Sequence, residues 1–297
     1  MSGDTIQEID LVEVILETTN SLYSSIISSI VQNINPLLDK LIFVDNTITT
    51  DSYFEKIFGT SPTNGVLMLT NCLLLAFILY YCIKLIVAPF TGNEVESPSR
   101  FILRIIIAAI TMNFSLEICN LLINGTNQIS DFFLSLGSSI FKKEISFETL
   151  ISCLNINSLD NFNAFSLDGI LSSILSISSF SLLLSFSLRY ILIKLLILAS
   201  PFAFLCLSTK ATEGFLKSWY KSFLSMLLLQ IVLSALLIIP YALLKEDSSS
   251  LFNKILLIGS ISALLKSGQL VKEFLGGIGI TSSFSSGVSG IKSIFMR

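Results

Sequence analysis

The chain has 297 residues, of which 52% are hydrophobic and 13% are charged, and its formal net charge is -3. Soluble domains carry about 25% charged residues, so this composition excludes an ordinary water-soluble globule and indicates a protein surrounded by lipid. The small net charge argues against a basic nucleic-acid-binding domain. The sequence contains no histidine, the commonest general base and metal ligand.

Sequence motifs of soluble enzymes are missing as well. The five cysteines show no C-x-x-C spacing, and four of them lie in apolar stretches, where a free cysteine behaves as a small hydrophobe. The sequence contains neither a P-loop nor an H-E-x-x-H pair. We therefore predict that the protein is not an enzyme and that it needs no cofactor or metal.

Residues 1–64 are predicted to form an external or interfacial amphipathic region. Between residues 21 and 42 apolar residues recur at three- and four-residue steps, which places them on one stripe of a helix. No lysine or arginine precedes Lys40, so a cleavable signal is not expected. Such a helix either lies in the membrane interface or packs on copies of itself or on a partner protein.

Residues 65–123 are predicted to form a transmembrane hairpin. A bilayer core about 30 Å thick needs about 20 apolar helical residues, and residues 65–88 and 101–123 both meet this requirement. Glu117 is the carboxylate well inside a predicted span, which makes it a candidate for pore lining or for a helix–helix contact. A partly hydrated carboxylate near the outer membrane surface is the alternative.

Residues 124–168 are predicted to be an external insert, in which an amphipathic run precedes an asparagine-rich piece. The apolar stretch after it is too long for one span, so a span over about 169–190 is predicted to end in a break near Pro201. We interpret Pro201 as a helix break rather than a gating hinge. Arg189 and Lys194 are expected to mark the cytoplasmic end of the span and to reach lipid phosphates.

The third span and two further spans form a predicted bundle over residues 169–272. A basic cytoplasmic turn, residues 208–221, contains Trp219 beside two lysines, where interfacial aromatic side chains anchor helices. Gln230 lies in the middle of the span over 223–244 and is expected to hydrogen-bond across helices.

The last predicted span, residues 251–270, is weaker than the others. Only eleven uncharged residues separate Lys254 from Lys266, so both ammonium groups must extend toward the membrane surfaces. Residues 273–297 form a predicted cytoplasmic tail rich in glycine and serine.

The distribution of positive charge predicts the orientation. Twelve of the eighteen lysines and arginines flank the spans on the side that holds the C-terminus. Positive residues stay cytoplasmic, so the prediction is an all-α bundle of about five spans in the cell membrane, with the N-terminus outside and the C-terminus inside.

Serines along the third span allow two interpretations. Ser172, Ser176 and Ser179 share one side of the helix, which several copies of the chain could turn toward a conduit. Leu183 interrupts this stripe, and further serines lie on the opposite side of the helix. Small residues that allow close helix packing are the alternative interpretation.

The block from Arg189 to Leu237 resembles the TrbL-like polytopic inner-membrane subunits of type IV secretion and conjugation systems. The shared pattern is a long apolar helix, a proline (Pro201), a short polar turn and a K-x-W segment, Lys217 to Trp219, before the next span. The resemblance implies a homo-oligomeric channel or scaffold subunit. It also implies partners: cytoplasmic ATPases, a surface or pilus-tip subunit, and transient contact with transferred DNA or protein. No residue of the block is expected to be catalytic.

Two other functions remain open alternatives. A small-molecule permease or export-complex subunit often shows internal repeats with broken helices, and no convincing repeat is evident in this sequence. Lysis-type pores and membrane immunity proteins are usually shorter and lack a long external amphipathic region. The secretion-subunit interpretation is therefore favoured.

Overall fold

The computed structural model describes residues 11–44, 46–59, 63–91, 97–152, 166–210, 212–243 and 251–274. All regular elements within these ranges are helices, which confirms the predicted all-α class for this part of the chain. The α-helices are α1 (Leu11–Ile42), α2 (Ser52–Phe58), α3 (Gly65–Thr91), α4 (Pro98–Asn113), α5 (Ser115–Phe141), α6 (Phe147–Ser152), α7 (Leu167–Leu198), α8 (Ser200–Leu205), α9 (Glu213–Leu243) and α10 (Leu251–Phe274). Short 3-10 turns occupy Asn46–Ile48 and Cys206–Ser208.

The chain divides into two compact units. The first contains Met1–Phe43, Ser130–Leu188 and Leu233–Lys266, and the second contains Val44–Ile129, Arg189–Val232 and Ser267–Arg297. The long helices α5, α7, α9 and α10 each contribute residues to both units.

In the first unit, hydrogen bonds to side chains attach the segment around α6 to α1 and α9. The Asp39 carboxylate, near the end of α1, accepts from the backbone N–H groups of Phe147 and Glu148 at 2.8 and 3.2 Å. These groups open α6, so Asp39 caps α6 from another helix. The Tyr241 hydroxyl of α9 donates to the Ser146 carbonyl oxygen at 2.7 Å.

In the second unit, α3 and α4 pair along their lengths. The rings of Tyr81 and Phe101 stack, and Leu205 of α8 packs in one cluster with Leu74 of α3 and Met112 of α4. Helix α8 therefore lies against the α3–α4 pair. A larger cluster joins α2, α5, α7 and α9.

The predicted continuous span over 101–123 is broken in the structure. Helix α4 ends at Asn113, Phe114 lies between the helices, and α5 starts at Ser115 with a bend of 61° between α4 and α5. The Asn113 amide donates to the Ala109 carbonyl oxygen at 2.8 Å, which places a side-chain donor inside the backbone hydrogen-bond ladder. The amphipathic run assigned to the insert belongs to α5, and the asparagine-rich piece lies outside the described residues.

Three helices in the described ranges are long and apolar enough to cross a membrane. They are Gly65–Phe90, Gly169–Leu198 and Glu213–Ala242, and the bent pair α4–α5 adds a fourth if it counts as one span. Helix α10 holds a shorter apolar stretch, Ile255–Gly268. Three or four spans thus agree with the predicted membrane bundle by length and composition, and the fifth span stays a prediction.

Candidate functional site

The second unit buries an arginine between two helices, α7 and α9, that are each apolar enough to cross a membrane. Arg189 of α7 is 3% exposed, and its Nε and Nη2 atoms donate to the Met226 carbonyl oxygen of α9 at 3.1 and 3.0 Å. Burying a guanidinium is costly unless its N–H groups are hydrogen-bonded, so this contact ties α7 to α9. The structure therefore differs from the prediction that Arg189 reaches lipid phosphates.

One turn further along α9, Gln230 joins three segments. Its side chain is 1% exposed; Nε2 donates to Asn127 Oδ1 of α5 at 2.7 Å, and Oε1 accepts from the Val44 backbone N–H at 3.1 Å. The cross-helix hydrogen bond expected from a mid-span glutamine is present. Gln230 thus fixes the positions of α5, α9 and the residues that follow α1.

Asparagines at positions 113, 120 and 127 form hydrogen bonds that sequence reasoning missed. Asn113 Oδ1 accepts from Asn71 of α3 at 3.3 Å, and Asn120 Oδ1 accepts from Thr49 at 2.9 Å. Asn127 is the partner of Gln230. The seven-residue spacing places Asn120 and Asn127 on one face of α5, a signal that the sequence already contained.

Trp219 is buried rather than interfacial. It is 5% exposed, its Nε1 donates to the Leu196 carbonyl oxygen at 2.9 Å, and its ring stacks on Phe223 at 5.3 Å between centroids. The break near Pro201 is present, since α7 ends at Leu198 and the buried proline lies in the first turn of α8. Trp219 of α9 therefore bonds to the end of α7 inside the protein and stabilises the turn between these two helices.

Lys194 of α7 reaches the segment that precedes α3. Its Nζ lies 3.5 Å from Asp51 Oδ2, and 5.8 Å and 5.5 Å from the ring centroids of Phe54 and Tyr190. Asp51 belongs to the predicted external region 1–64, whereas Lys194 was predicted to lie at the cytoplasmic end of a span. An ion pair cannot join residues on opposite sides of a core about 30 Å thick, so this contact does not support that assignment.

Glu117 is exposed in the first turn of α5. A carboxylate there interacts favourably with the positive end of the helix dipole. The structure thus gives Glu117 a local role in stabilising the start of α5, while its predicted roles in pore lining or helix contact stay predictions.

Four of the six candidate residues, Arg189, Lys194, Trp219 and Gln230, attach α7 or α9 to neighbouring segments of the second unit. Their groups are one amide, one indole and two cations, which hold helices in register. Among the described residues, no group of three or more Cys, Asp and Glu side chains is placed to hold a metal ion.

Comparison of the chain with protein-family models, curated proteins and solved structures finds no match. The resemblance to TrbL-like subunits therefore depends on the residues of the sequence alone.

Proposed function

We propose that the chain is an integral membrane protein whose apolar helices lie in the bilayer. The observation that best supports this proposal is the apolar character of the exposed face of α7 in the first unit. Large apolar side chains recur there at three- and four-residue steps, each at least 42% exposed: Ile170, Ile174, Ile177, Phe180, Leu184 and Leu188. This stripe is about 27 Å long by helix rise, close to the thickness of a bilayer core. Water is a poor solvent for such a face, and lipid is a good one.

Within this class, the protein is proposed to be a channel or scaffold subunit of a type IV secretion complex that transfers DNA or protein. The support is the TrbL-like block: an apolar helix that ends before Pro201, a polar turn, and Trp219 at the start of the next apolar helix. The proposed assembly is homo-oligomeric and works with cytoplasmic ATPases and a surface subunit. Five spans, an external N-terminus and a cytoplasmic C-terminus belong to this proposal, and the contact between Lys194 and Asp51 is the observation that argues against the external N-terminus.

The buried serines favour a scaffold over a conduit for the face on which they lie. Ser176 and Ser179 of α7 are each 4% exposed within a single copy of the chain, so they pack inside it. The side chain of Ser172 lies outside the described residues. Small residues in this position let neighbouring helices approach closely, as the packing interpretation requires.

Deletion of the gene, followed by measurement of plasmid or element transfer, tests the proposed function. Transfer is expected to fall to background and to return with the wild-type gene. A Gln128→Ala gene, altered at an exposed residue of α5, serves as the matched complementation control and is expected to restore transfer fully. Undiminished transfer in the deletion strain would exclude the secretion role.

A further inference from the structure

The outward side of the first turns of α9 differs chemically from the rest of that helix. Lys217, Tyr220 and Lys221 are all exposed, the tyrosine by 45%. At 3.6 residues per turn the three side chains fall within about 100° around the helix axis. Trp219 and Phe223 occupy the other side and are buried.

The apolar stretch after Lys221 positions this face along the membrane normal. No charged residue lies between Lys221 and Lys245, and the helical part of that interval, 222–243, has a length of about 33 Å. This length matches a hydrocarbon core of about 30 Å. With 222–243 across the bilayer, Lys217 and Lys221 reach the headgroup layer, where long cationic side chains and tyrosine are stable.

The charge around this face is complementary to an anionic surface. Residues 208–221 carry Lys210, Lys217 and Lys221 against one acidic residue, Glu213. Glu213 lies 3.2 Å from Lys217, but the lysine side chain is 71% exposed, so solvent screens this pair. Basic side chains beside a membrane attract anionic lipid headgroups.

We propose that Lys217, Tyr220 and Lys221 form an interfacial site that binds anionic phospholipid headgroups. The sequence suggested Trp219 for the aromatic part of this role, but the Trp219 indole is occupied by the Leu196 carbonyl oxygen inside the protein. Tyr220, the next residue, points about 100° away and takes the outward position. The site rests on the proposed membrane insertion of α9 and not on the proposed secretion role.

Lipid titration of the full-length protein in a neutral detergent tests the site, with bound lipids counted by native mass spectrometry. Phosphatidylglycerol is expected to bind more tightly than phosphatidylcholine. A Lys217→Gln/Lys221→Gln variant should weaken phosphatidylglycerol binding about fivefold for each lysine removed, because each contributes about 1 kcal/mol near an anionic surface. A Lys40→Gln/Lys142→Gln control removes two exposed lysines outside α9 and should retain wild-type binding.

An unchanged affinity in the α9 variant, or an equal loss in the control, overturns the site. Loss of single-stranded DNA binding in the α9 variant with unchanged lipid affinity also overturns it, in favour of a nucleic-acid surface. Cys72 and Cys82 are exposed, so the native cysteines are first replaced by serine. A fluorophore on a Tyr220→Cys variant of that protein should be quenched more strongly by headgroup-labelled than by mid-chain-labelled lipid, and the reverse order overturns the site. Protein that stays dissolved without detergent refutes the membrane proposal itself, whereas normal insertion without lipid selectivity refutes only this site.

Discussion

Helices α3 and α9 are both apolar enough to span a membrane, yet they use their surfaces differently. In the most apolar part of each, 22% of the α3 residues and 50% of the α9 residues are buried. Helix α3 buries a narrow stripe, Leu67, Thr70, Leu74 and Tyr81. High hydropathy indicates that a helix is unstable in water. It does not distinguish a helix surrounded by lipid from one buried in protein, because both environments are apolar.

Polar side chains distinguish the two helices better than apolar ones do. Helix α9 buries Ser222, Ser225, Gln230 and Ser234, so protein covers most of its circumference. A polar group inside a span is stable only where another group accepts or donates its hydrogen bonds. Buried polar residues therefore mark α9 as central in its packing, and the wide exposure of α3 marks it as peripheral.

The largest expected effect comes from truncating the same residue type in each helix. Leu227→Ala in α9 removes a side chain that is fully buried and should lower the free energy of unfolding by about 2–5 kcal/mol. Leu75→Ala in α3 removes a side chain that is 61% exposed and should change the free energy of unfolding by less than about 0.5 kcal/mol. Denaturant unfolding in one detergent measures both. Equal costs would show that the two helices do not differ in packing.

The next effect tests whether polar contacts hold α9 in place. Gln230→Ala leaves the Val44 N–H group and the Asn127 amide without this partner, which should cost about 2–4 kcal/mol. Gln128→Ala, at an exposed position of α5, is the matched control and should cost less than about 0.5 kcal/mol. If Gln230→Ala is as stable as the control, the buried amide contributes nothing to the attachment of α9.

Hydropathy and helical periodicity were sufficient to predict the long apolar helices α3, α7 and α9, but not which segments pack against them. The break at Pro201 was predictable because proline ends a helix, and the cross-helix role of Gln230 followed from the cost of an unpaired amide in lipid. Burial of Arg189 and Trp219 was not predictable, because a cation or an indole at a span end suits either a headgroup or an interior carbonyl. Only the tertiary packing decides between these environments.

The bend at Phe114 was missed for a related reason. The stretch around it contains Thr111, Asn113, Ser115 and Glu117, but it is apolar on average, so a hydropathy window continues through the break. Asn113 lies directly before the break, and its side chain bonds to a backbone carbonyl one turn earlier and to Asn71 of another helix. The hydrogen bonds of a single side chain depend on its neighbours in the fold, so they do not appear in a hydropathy value averaged over a window of residues.

Asp39 provides a test of a buried polar group in α1, a helix that is not among the candidate spans. Burial raises the pKa of Asp39, although the Phe147 and Glu148 backbone N–H groups oppose the shift. The folded protein therefore holds this proton more tightly than the unfolded chain, and stability should fall as pH rises from the ordinary aspartate pKa through the raised value. Unfolding across that pH range measures the effect.

Two substitutions separate the charge of Asp39 from its capping role. Asp39→Asn keeps one acceptor oxygen and should remove this part of the pH dependence. Asp39→Ala also loses the cap on α6 and should cost about 1 kcal/mol. A pH slope that stays unchanged in Asp39→Asn would assign the dependence to other groups.

The smallest expected effect concerns the ion pair between Lys194 of α7 and Asp51. Both side chains are partly exposed, 29% and 45%, so a double-mutant cycle with Lys194→Gln and Asp51→Asn should give a coupling of only about 0.5 kcal/mol. The asparagine keeps an acceptor for the Tyr53 N–H group that Asp51 caps. The Glu213–Lys217 pair within α9 provides a control cycle of about 0.3 kcal/mol. Salt should weaken both couplings. A measurable coupling requires both residues on one side of the membrane, whereas a coupling of zero at low salt would show that the pair contributes nothing to stability.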